Sequence, residues 1–126
     1  MEATERVRLI ATWIKHHKDQ RASGAVPEET FWAWEELEQL CSNQPELALA
    51  TILQILATDQ SDPVVDNLAA GPLEDLLVSH GEEFIDRIEA EARRTPAFKL
   101  LLGGVWRNAM DPSVWARVQR AADPKW

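Results

Sequence analysis

The chain has 126 residues, a formal charge of −8, 45% apolar residues and a single cysteine. This composition excludes a disordered chain, an internal disulfide, a cysteine-built metal cluster and the broadly cationic surface of a nucleic-acid binder. The N-terminal stretch mixes charges into its apolar pattern and no apolar run is long enough to cross a bilayer, so neither a targeting segment nor a membrane span is expected, and a cytoplasmic location is the default.

A single helical domain is predicted over 1–126. The first helix covers 3–18, and the polar stretch 19–27, with Ser23-Gly24, reads as a flexible loop. A helical core runs over 28–121, and 122–126 form a tail. Proline marks the helix starts, because at the first helical position its missing N–H had no partner to lose. Pro27 opens a helix over 28–42. Its Phe31, Trp34, Leu37, Leu40 and Cys41 share one apolar stripe, with Glu35, Glu36 and Glu38 mostly off it. Pro45 opens 45–58, which is apolar on most sides and therefore predicted to be central, with Leu53 fully buried. Next come 63–70, 72–80 and 82–94, with Gly71 and Gly81 expected as left-handed caps. Then come 96–109, which Gly103-Gly104 bend or break, and 112–121. Asp62, Thr95 and Asp111 stand where N-caps belong. The fold class is all-α: a compact bundle of about seven or eight short helices, with α-solenoid-like hairpins as a variant.

Charge is distributed unevenly. From Glu28 to Asp86 there are fourteen acidic residues and no Lys or Arg. The first 27 residues carry a balance of +2 and residues 87–126 one of +4. The plain reading is that basic ends fold against an acidic middle, or that the acids are a solvated face. The functional reading is that an acidic face stays unpaired and docks a cationic partner. Its candidate residues are Glu28, Glu29, Glu35 and Glu36, with Trp32 as an aromatic among them if it is not in the core.

A second candidate is a polar cluster of Glu74, Asp75, His80 and Arg107. Glu74 and Asp75 stand six and five residues before His80, so a straight helix does not align them with it. The plain reading is that the acids complement a helix N-terminus and His80 ends that helix. Arg107, beside Trp106, is free to reach a carboxylate of the middle. His16 and His17 are adjacent and point about 100° apart, so no metal site is expected. Cys41 reads as a buried small hydrophobe. No nucleotide, hydrolase or metalloprotease motif occurs, so no cofactor and no catalytic residue is assigned.

The stretches Trp32-Ala33-Trp34-Glu35-Glu36-Leu37, LAAGPLEDLL over 68–77, His80-Gly81, Ile88-Glu89-Ala90-Glu91-Ala92 and Leu102-Gly103-Gly104-Val105-Trp106 together resemble a bacterial family of small acidic helical proteins, a domain of unknown function. The resemblance covers about 28–120. It implies a small all-helical bacterial protein, brings no activity with it, and at class level points to toxin-neutralising or inhibitory proteins. The leading expectation is a non-catalytic acidic module that binds a basic protein, most concretely as an immunity-type inhibitor of a toxin or nuclease. It would bind neither nucleic acid directly nor a membrane. The alternatives are a small enzyme using Glu74, Asp75, His80 and Arg107, and a homo-oligomeric structural protein such as a homodimer.

Overall fold

A computed structural model describes residues 1–126. Every regular element is helical. In chain order they are α1 (Ala3–Ser23), a 3-10 turn (Glu28–Thr30), α2 (Phe31–Asn43), α3 (Pro45–Thr58), α4 (Asp62–Leu68), a π turn (Ala69–Leu73), α5 (Glu74–Arg94), α6 (Pro96–Leu102) and α7 (Pro112–Ala121). Pro45, Pro63, Pro96 and Pro112 each occupy the first turn of a helix. Among the expected N-caps only Asp111 caps with its side chain, accepting from the Ser113 N–H at 2.9 Å. Asp62 lies inside α4, and Thr95 makes no side-chain cap.

Three boundaries differ from the sequence expectation. α1 continues to Ser23 and ends at Gly24, whose φ of 76° is the left-handed cap. Its last turns are polar because they face solvent, and Lys18 and Arg21 there reach Asp59 and Asp66. Gly71 and Gly81 do not cap helices: α4, the π turn and α5 form one helical rod from Asp62 to Arg94. Pro72 sits inside that rod. It lacks an N–H and its ring presses on the carbonyl four residues back, and a wider turn accommodates both. The rod kinks again at His80 (φ −135°, ψ 23°). Gly81 is buried there, and a Cβ on it would meet Val114 Cγ1 at 2.9 Å, so this glycine lets α7 approach α5. Finally, α6 stops at Leu102 rather than near 109.

The core is one contiguous cluster with contributions from every α-helix. α2, α3 and α5 pack on one another; α1 rests on α2, α3 and α4, and α7 on α5 and α6. Because α4 runs on into α5 instead of folding back, the bundle is not a stack of hairpins. α3 is central, touching α1, α2, α4, α5 and α6. Its Leu53 is only partly buried, however, while Ile52 and Thr51 are fully buried. The Thr51 hydroxyl donates to the Leu47 carbonyl at 2.7 Å, which satisfies it within its own helix. No helix is long and apolar enough to cross a membrane.

Candidate functional site

α2 presents its buried stripe through Ala33, Leu37, Leu40 and Cys41. That stripe is rotated from the expected one, and Trp34 falls outside it. Trp34 is exposed and stacks on Phe31 with ring centroids 5.2 Å apart. Trp32 is partly buried against the core, with the Arg8 guanidinium 4.9 Å above its ring. The exposed aromatic of the acidic helix is therefore Trp34, not Trp32. Ala33 is fully buried, and a stripe drawn by side-chain size passes over so small a residue.

The basic flanks neutralise part of the acidic middle. Arg87 grips Glu46 with two hydrogen bonds of 2.7 Å, and Arg117 bridges Asp86 and Glu89. With Lys18–Asp59 and Arg21–Asp66, these contacts tie α1, α5 and α7 to the acidic segment. Glu28, Glu29, Glu35, Glu36 and Glu38 take part in none of the ion pairs. Lys15 feels Glu29 but is bonded to Asp19.

Trp34 and Glu38 line a cleft of about 370 Å³ beside the π turn, together with His17, Asn67 and Asp75. Burial, then the neighbouring Glu38 and Glu74 charges, pushes the Asp75 carboxyl up to about 6. His17 is 4% exposed, and neither ring nitrogen has a hydrogen-bond partner. Burial, with His16 next to it, brings its imidazole down to about 4. The ring lies against Trp13, centroids 4.3 Å apart. Cys41 is buried close by; its thiol donates to the Pro72 carbonyl at 3.3 Å, and burial, then Asp75 and Glu38, pushes it up to about 12. Such a thiol is not a nucleophile at neutral pH.

Glu74, Asp75, His80 and Arg107 do not line a common cleft. Both Glu74 oxygens are engaged, accepting from the Trp106 N–H and the Asn108 side-chain amide at 3.1 Å each. His80 donates from Nε2 to the Ser42 carbonyl at 2.8 Å, fastening the α5 kink to the end of α2, and its Nδ1 lies 3.5 Å from Glu83. Arg107 lines a separate groove between α6 and α7. No group of three or more His, Cys, Asp or Glu side chains is placed to hold a metal ion. Sequence spacing puts Glu38 on the acidic helix but not beside Asp75, and gives no hint of His17 in the same cleft. Those residues meet because α1, α2 and the π turn converge, and Pro72, read from the sequence as opening a helix over 72–80, gave no sign of that turn.

No curated protein and no solved structure matches the chain. A family model, described as a family of unknown function (DUF6869), matches residues 20–125. The chain belongs to this family.

Proposed function

We propose that the chain is a non-catalytic acidic binding module that docks a basic protein on the face of α2. The observation that carries this reading is the absence of ion pairs at Glu28, Glu29, Glu35, Glu36 and Glu38, in a chain whose flanks pair off Glu46, Asp59, Asp66 and Asp86. A one-signed field of this kind speeds encounter and selects partners more than it adds raw affinity. Trp34 supplies the aromatic anchor, and its ring with Glu38 and Asp75 behind it suits a Lys or Arg side chain entering the π-turn cleft. In its most concrete form the partner is a basic toxin or nuclease and the chain its immunity-type inhibitor, since a surface built to hold phosphates offers the matching cations. A cytoplasmic setting belongs to the same proposal and rests on the single free thiol.

The test is association kinetics with a basic protein that co-purifies from source cells. Changing Glu35 and Glu36 to Lys should lower the association rate by about an order of magnitude or more, most at low salt, with folding nearly unchanged. Trp34→Ala should act mainly on dissociation. An association rate indifferent to salt and to the double substitution would overturn electrostatic docking.

A further inference from the structure

Trp106, Trp115 and Trp126 stand around one groove of about 290 Å³ between α6 and α7, floored by Val105 and Val118. Trp106 is 72% exposed and Trp126 53%, in a chain that buries Trp13 completely. The groove is shaped by specific contacts. One wall is the tail, which folds back over the end of α6. The Trp126 indole N–H donates to the Leu100 carbonyl at 2.7 Å, and its backbone N–H to the Gly103 carbonyl at 3.0 Å. Gly103 and Gly104 make that return possible. A Cβ at 103 would lie 1.9 Å from the Pro124 carbonyl oxygen, and one at 104 would lie 2.3 Å from the Trp126 ring. Trp106, which also lines the groove, is held by Glu74, whose carboxylate accepts from the Trp106 backbone N–H at 3.1 Å.

The charged side chains of the rim are cationic. Arg107 and Lys125 line the groove and no Asp or Glu side chain does, although Arg107 also acts on the Asp111 carboxylate nearby. Neither cation takes part in an ion pair, although the chain as a whole carries −8. Ligand clefts are typically about 300–1,000 Å³, apolar, with a few polar groups that orient the occupant. This one lies at the small end. Its indoles favour flat rings, and a guanidinium and an ammonium at the rim favour an anion.

We propose that this groove binds a small planar aromatic anion, one or two fused rings bearing a carboxylate, sulfonate or phosphate. The site is separate from the acidic face of α2 and does not depend on the docking reading.

The experiment titrates the 126-residue chain with naphthalene-2-sulfonate. Calorimetry and tryptophan fluorescence follow binding, backbone amide NMR shifts locate it, and the neutral naphthalene-2-methanol is the comparison. The expected result is saturable one-to-one binding with shifts on 102–107 and 115–126. Affinity should fall at least tenfold for the neutral analogue, for Arg107→Gln/Lys125→Gln and for Trp126→Ala. It should be unchanged in Glu35→Lys/Glu36→Lys. The charge variant alters only exposed side chains, so it decides the matter even if Trp126→Ala loosens the tail. Unsaturable binding, equal affinity for the neutral analogue, an unaffected charge variant, or shifts confined to α2 would each overturn the proposal.

Discussion

His17 and Asp75 line the same cleft and respond to pH in opposite directions. Folding disfavours the charged Asp75 carboxylate, so its contribution to stability is full below about pH 3.8 and is lost as pH rises through about 6. Folding also disfavours the His17 imidazolium, so its contribution is intact above about pH 6.5 and is lost as pH falls through about 4. Over that window the two slopes oppose each other. Asp75→Asn should therefore stabilise the protein at pH 7 by roughly 1 kcal/mol after solvent screening, with the gain vanishing near pH 4. His17→Leu should remove the opposing loss, so its stability relative to wild type should rise on acidification. Urea titrations at a series of pH values measure both differences, and profiles parallel to wild type would refute the assignment. Cys41 offers a simpler check. With its thiol pushed up to about 12, it should fail to react with a disulfide reagent at pH 8 and react at once in denaturant. Rapid reaction of the folded protein would mean that the α2 stripe opens.

At the scale of elements, the close approach of α5 and α7 rests on Gly81. Gly81→Ala gains helix propensity of up to about 1 kcal/mol but drives a methyl into the stiff, β-branched Val114. A net loss of about 1–2 kcal/mol is expected, largely recovered by adding Val114→Ala. Additive losses in that cycle would show that the two residues do not meet. Within α3, Ile52→Ala should cost about 2–5 kcal/mol and Leu53→Ala clearly less, because only Ile52 leaves a closed cavity. Equal costs in denaturant titration would contradict the rotation of that helix. These two cases show what was legible in advance. Proline starts and the 3.6-residue period located α3, α7 and the all-helical class, since those signals act within a few residues. The facing of Leu53 and Trp34, and the role of Gly81, depend on which distant helix lies opposite. The candidate cleft was illegible for the same reason, whereas the acidic face was readable as a run of one charge.

For the whole molecule, the balance of attraction and repulsion decides how salt acts. The ion pairs are mostly exposed and worth little individually, whereas the chain as a whole carries −8 and Glu28, Glu29, Glu35, Glu36 and Glu38 take part in none of those pairs. Raising sodium chloride from about 0.02 to 0.3 M, which shortens the Debye length severalfold, should therefore raise the melting temperature. A fall, followed by circular dichroism, would mean that the cross-links from Arg87, Arg117, Lys18 and Arg21 dominate. The π turn also has a consequence for how the chain tolerates change in length. It is an α-helical turn with one residue too many, so the core-facing residues before it and after it obey the same period in different phase. Removing Gly71, whose surroundings are open, would bring Val64, Leu68, Leu73 and Leu77 into one unbroken helical period, because the wide turn is what absorbs the extra residue. The cost would fall on Pro72, whose ring a regular α-helical turn would press against the carbonyl four residues back. A one-residue deletion is usually harmless in a surface connection. At this position it would leave the core residues of the rod in step but take away the wider turn that accommodates the proline, so the extra residue of the 69–73 segment and Pro72 belong together.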